Sequence, residues 1–106
     1  MTAMETPWLE ICTLDSIPLR GCRLVQSPRG QIALFRTAAD EVFALDNRCP
    51  HKGGPLSEGI VHGRLVTCPL HNWVIDLENG RATGADEGCT RKFAVRLDEG
   101  RVYLRV

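Results

Sequence analysis

Two stretches decide the fold of this chain: Cys49-Pro50-His51-Lys52-Gly53-Gly54-Pro55-Leu56 and Cys68-Pro69-Leu70-His71-Asn72-Trp73-Val74-Ile75-Asp76. Together they read C-x-H-(x16)-C-x2-H, with sixteen residues between His51 and Cys68. Each stretch offers one thiolate and one imidazole, so the pair supplies two sulfur and two nitrogen ligands. Two metal chemistries accept that set. One is tetrahedral zinc, and the other is a [2Fe–2S] cluster with both cysteines on one iron and both histidines on the other. Zinc spacings more often open with two cysteines about two to four residues apart. Pro50 and Pro69 each follow a cysteine and fix φ there, which stiffens both loops. Gly53 and Gly54 lack side chains and can bring backbone N–H groups close to a ligand.

Outward from these loops the chain reads as short strands. Trp8–Cys12 alternates, Asp15-Ser16-Ile17-Pro18 is a turn, and Gly21–Gln26 is a second strand. Ser27-Pro28-Arg29-Gly30 reads as a hairpin turn into Gln31–Arg36, which pairs with Val42–Leu45. The first loop leaves at Asn47 and returns near Ser57-Glu58-Gly59. Ile60-Val61 and Leu65–Thr67 flank a turn at His62-Gly63-Arg64, which makes His62 an exposed turn residue. Trp73–Asp76 resumes a strand closed by Leu77-Glu78-Asn79-Gly80, where Asn-Gly is a hairpin signal. Lys92–Leu97 and Val102–Val106 form the last hairpin, with Phe93, Val95 and Leu97 on one face. No stretch has a useful helical period. The expectation is all-β, a sandwich or barrel.

The 106 residues are one small domain, 1–106, with loops at about 47–58 and 67–73. Thirteen basic and thirteen acidic side chains cancel, which gives no bulk attraction to nucleic acid or an anionic membrane. The first residues lack a basic and then apolar leader, and no apolar run approaches the ~18 residues of a membrane span, so a cytoplasmic location is expected. Beyond Cys49 and Cys68, the cysteines Cys12, Cys22 and Cys89 form an odd remainder. That argues for reduced thiols, with Cys12 and Cys22 as small core residues and Cys89 as a packed thiol in a solvated turn.

The two loop stretches resemble the Rieske family, whose pattern is C-x-H-x-G-x-x-L followed by C-P-x-H and an aromatic or apolar strand. The resemblance implies an antiparallel β-sandwich or barrel with a two-loop cluster-binding tip. It also implies one [2Fe–2S] cluster, with Cys49 and Cys68 on one iron and His51 and His71 on the other. Two neutral imidazoles in place of thiolates raise the potential above that of an all-cysteine ferredoxin. High-potential members tie the loops with a disulfide. Gly54 and Leu70 stand at those places here, which implies the low-potential branch, towards about −150 mV.

Within that family the chain is similar to small subunits of bacterial assimilatory NAD(P)H-dependent nitrite reductase. The segment Gly84–Arg91 carries the distinction, since dioxygenase ferredoxins usually place a proline loop there and this chain has no proline after Pro69. The implied partner is a large flavin and sirohaem subunit that reduces nitrite to ammonium. The alternative is a ferredoxin that docks transiently between a flavin reductase and an aromatic-ring dioxygenase. A zinc-stabilised interaction module is the third reading. No catalytic residue of its own is expected, and Arg48, Lys52 and Arg64 are candidates for a basic docking rim.

Overall fold

The computed structural model describes residues 8–28, 30–49, 54–69, 72–83 and 88–105. Nine strands follow in order: β1 (Leu9–Thr13), β2 (Gly21–Ser27), β3 (Gly30–Arg36), β4 (Val42–Asp46), β5 (Ile60–His62), β6 (Leu65–Thr67), β7 (Val74–Asp76), β8 (Lys92–Asp98) and β9 (Arg101–Arg105). Among the described residues the only helical pieces are 3₁₀ turns at Leu14–Ser16 and Leu56–Glu58. The expected all-β fold is therefore observed, with strand ends shifted by a residue or two.

Six strands form one antiparallel sheet in the order β1-β9-β8-β4-β3-β2, and three form a second in the order β5-β6-β7. The large sheet is creased. β4 and β8 pair only at Ala44↔Phe93 and Leu45↔Lys92 before they diverge, so β1, β9 and β8 curl back over β3 and β4. The sequence of β3 shows why it lies in the middle. Ile32-Ala33-Leu34-Phe35 is an uninterrupted apolar run, as a strand covered on both faces requires, and all four residues are fully buried.

Alternation along β3 sends its side chains into two cores. Ile32 and Leu34 join Ile17, Ala44, Val102 and Leu104 inside the curl. Ala33 and Phe35 join Leu45, Leu56, Val61, Val66, Ile75 and Leu77 beneath the small sheet. Full burial of a side chain such as Phe35 stabilises by about 1.5–3 kcal/mol. On the last hairpin, Phe93 and Val95 pack against the inner core, whereas Leu97 on the same face is 43% exposed.

The turns follow their residues. Glu99 (φ 50°) and Gly100 (φ 75°) give β8–β9 a two-residue turn with both central residues left-handed. Gly63 (φ 59°) opens the two-residue turn between β5 and β6. The Asn79-Gly80 signal closes an antiparallel turn as expected: Asp76 N–H donates to the Arg81 carbonyl at 2.8 Å and Ile75 bridges Ala82, with Leu77–Gly80 as the loop. Gly80 is required there twice over, for its φ of +76° and because a Cβ would lie 2.4 Å from the Thr90 carbonyl oxygen.

Two arginines tie the layers. Arg36 donates through Nη1 to the carbonyls of Leu14 (3.2 Å) and Ile17 (2.9 Å), and through Nε and Nη2 to Asp40. Arg64, in the β5–β6 turn, pairs with Glu41 at the end of the β3–β4 turn and reaches Glu78 at 3.7 Å.

Candidate cluster site

Cys49 and Cys68, nineteen positions apart in the sequence, lie in the same apolar core, 3% and 0% exposed. The half-buried Trp73 packs against that core, and Leu56 is fully buried within it. His51 and His71 lie outside the described residues, as do Pro50, Lys52, Gly53 and Leu70. The structure thus brings together both predicted sulfur donors and places each at the mouth of a loop whose sequence carries a histidine.

The two loops are closed the same way. Cys49 N–H donates to the Gly54 carbonyl, and Cys68 N–H donates to the Trp73 carbonyl, each at 2.7 Å. In both cases the acceptor lies five residues downstream. Gly54 is buried and acts here through its carbonyl, a role that its lack of a side chain did not announce. In the second loop the turn is completed by Asn72 at φ 57°, a left-handed conformation that Asn tolerates better than most residues.

The first loop has an additional strap. Asn47 N–H donates to the Gln31 carbonyl at 3.0 Å and Asn47 Nδ2 donates to Gln31 Oε1 at 3.2 Å. Asn47 Oδ1 accepts from Ser57 N–H at 2.8 Å. One side chain therefore joins the start of β3 to the point where the loop returns. The sequence marked Asn47 as the loop's exit and gave no sign of this strap.

The remaining cysteines separate from the site. Burial pushes the Cys22 thiol up to about 11, partly offset by a hydrogen bond with the Leu34 backbone, so it stays protonated. Cys12 and Cys22 are half-buried and pack against the inner and outer cores respectively. Cys89, expected as a packed thiol in a solvated turn, is exposed and forms an isolated antiparallel bridge with Arg81. The acidic stretch 84–87 lies outside the described residues.

His62 is exposed as expected, and its Nε2 lies 2.7 Å from Thr67 Oγ1. The expected basic rim needs correction at Arg64, whose guanidinium is committed to Glu41 and Glu78. Arg48 is exposed. Among the described residues no group of three or more His, Cys, Asp or Glu is placed to hold a metal.

Two thiols in one dry core, each opening a loop with a histidine, are the donors that a Rieske centre demands, and the residues present fit the group. The chain belongs to the Rieske-like [2Fe-2S] domain family, whose sequence profile matches residues 7–105. It is an electron-transfer domain with a Rieske-type cluster.

Relatives come from two systems. The chain is 30% identical to the ferredoxin component of the 2,4-dinitrotoluene dioxygenase system of Burkholderia sp. (strain RASC), over 97% of this chain and 99% of that protein. It is 37% identical to the NAD(P)H nitrite reductase large subunit of Klebsiella oxytoca, over 92% of this chain but 11% of that protein. A crystal structure described as an NADH-dependent nitrite reductase small subunit from Mycobacterium tuberculosis superposes with a TM-score of 0.83. It is 28% identical, with 95% of this chain and 96% of that chain covered.

Proposed function

We propose that this chain is the Rieske electron-transfer subunit of an assimilatory NAD(P)H-dependent nitrite reductase, which reduces nitrite to ammonium. In this reading Cys49 and Cys68 would hold one iron of the [2Fe–2S] cluster and His51 and His71 the other, and the bound cluster would supply one-electron transfer. The chain's own residues seat it. The apolar core keeps water from the cysteine side, and the two closures from Cys49 and Cys68 fix both sulfur donors.

The observation that carries the nitrite reductase reading is the 37% identity to a stretch of a nitrite reductase large subunit, spanning 92% of this chain. The absence of proline after Pro69 agrees with it. The implied partner is a large flavin and sirohaem subunit. A second reading, the ferredoxin of an aromatic-ring dioxygenase fed by a flavin reductase, draws on the end-to-end match to a dioxygenase ferredoxin.

A tagged pull-down from nitrate-grown cells, assayed for NAD(P)H-dependent nitrite consumption, separates the two. A large sirohaem-containing partner with that activity is expected. A lone brown protein that takes electrons from a flavin reductase and passes them to a dioxygenase would replace the nitrite reductase reading with the second. A colourless, zinc-containing protein would end both.

A further inference from the structure

The six-stranded sheet has two edges, and they are built differently. β1 is short, is interrupted by a bulge between Glu10 and Cys12, and carries the Glu10–Arg101 ion pair. Bulges and charges are the usual means of keeping an edge from pairing with another chain. β2 is less protected: it runs seven residues, pairs with β3 without a register break, and has a single charge, the exposed Arg23. Leu24, at its centre, is 43% exposed, and Leu19 just before it is 56% exposed.

The direction of its backbone groups follows from the neighbouring pairs. Thr37 N–H donates to the Glu41 carbonyl and Asn47 N–H to the Gln31 carbonyl, so odd-numbered residues of β3 bond to β4. Even-numbered residues of β3 therefore face β2. Through the register Val25↔Ile32 and Arg23↔Leu34, the odd residues of β2 are the ones that face β3. The N–H and C=O groups of Cys22, Leu24 and Gln26 point outward from the edge.

We propose that this edge is a self-association site, in which β2 pairs antiparallel with β2 of a second copy about a two-fold axis at Leu24. The pattern is self-complementary. With Leu24 opposite Leu24 and Cys22 opposite Gln26, three residues with one donor and one acceptor each form six main-chain hydrogen bonds. The same register sets Arg23 opposite Val25, so no like charges meet, and the chain's formal net charge of zero adds no overall repulsion. The neighbouring register centred on Arg23 sets two arginines face to face and leaves Gln26 without a partner from the strand. Side chains directly opposite in an antiparallel pair share a face, so the two exposed Leu24 side chains cover one another. A strand pair alone covers less than the roughly 1,200 Å² of a standard interface, so the dimer is weak and concentration-dependent.

Sedimentation velocity of the cluster-loaded full chain, up to about 1 mM, tests the proposal. Wild type is expected to shift from monomer to dimer. Leu24→Lys, which sets two ammonium groups across the axis, weakens association about tenfold or more. Leu24→Pro folds, because proline is tolerated on an edge whose N–H side faces solvent, and loses the dimer. Hydrogen exchange followed amide by amide gives the register. Protection of Cys22, Leu24 and Gln26 rises with concentration, while Arg23 and Val25 are unchanged. A monomer throughout, or a dimer that both variants leave intact, overturns the proposal. Protection that arises only on adding a different electron-transfer partner also overturns it, and assigns the edge to that partner's strand.

Discussion

The two cysteine loops close with the same hydrogen bond but depend on different parts of the molecule. The Cys68 loop joins β6 to β7, and its flanks are already paired at Thr67↔Val74. It is the loop of a hairpin, so its geometry is set locally. The Cys49 loop leaves β4 of the large sheet and arrives at the 3₁₀ turn and β5 of the small one. Its ends are brought together by Asn47, Leu56 and the core beneath. The contrast teaches that a symmetric pair of ligand loops need not be equally robust. The first inherits any looseness between the two sheets, and the second does not.

Ligand substitutions should erase the contrast and give the largest effect. Cys68→Ser and His71→Ala are each expected to lose the native cluster, since an iron would lack one of its two protein ligands. Visible absorption and electron paramagnetic resonance of the purified variants check this. A normal Rieske spectrum in either would remove that residue from the assigned set.

Leu56→Ala comes next. Leu56 is fully buried beside Cys49 and Cys68, and truncating such a leucine costs about 2–5 kcal/mol. The loss is expected in urea unfolding and as accelerated bleaching of the cluster. A cost below about 1 kcal/mol would mean that the first loop's return is not held by this core.

A matched pair of asparagine variants then sets one loop against the other. Asn47→Ala removes the acceptor for Ser57 N–H, which costs about 1 kcal/mol and loosens the first loop. Asn72→Ala leaves alanine at φ 57° in the second loop, again at about 1 kcal/mol. Asn72→Gly should relieve that strain, whereas Asn47→Gly should not restore the strap. Hydrogen exchange at Ser57 distinguishes them: faster in Asn47→Ala and unchanged in Asn72→Ala. Equal exchange at Ser57 in both variants would count against separate supports for the two loops.

Much of this arrangement is legible in the sequence because it is local. The cysteine and histidine spacing, the apolar run Ile32–Phe35 and the Glu99-Gly100 turn each announce themselves within a few residues. What could not be read is what depends on distant partners. β1 pairs with β9 across most of the chain, and no periodicity in Leu9–Thr13 names that neighbour. The same holds for Asn47 reaching Gln31 and Ser57, and for Arg64, which reads as a free surface charge until Glu41 and Glu78 come near it. The Asn79-Gly80 turn was legible, but the second demand on its glycine, the Thr90 carbonyl packed against it, was not.

The smallest expected effect concerns the bond between the layers that the first loop must span. Arg64 donates hydrogen bonds to the Glu41 carboxylate and, with its charge, holds it below the usual carboxylate range. A depressed folded-state pKa means stability that is present above the unfolded value, near 4.5, and is lost as pH falls through the folded value. Glu41→Gln should therefore be slightly less stable than wild type near neutrality, with the two converging in acid. Arg64 is exposed and Glu41 only half-buried, so salt should shrink the difference as well. Urea unfolding of the two proteins at neutral and acidic pH, at low and high salt, measures it. A difference that persists in acid would mean that Glu41 acts through its hydrogen bonds to the Thr37 turn. The first loop would then owe nothing to charge.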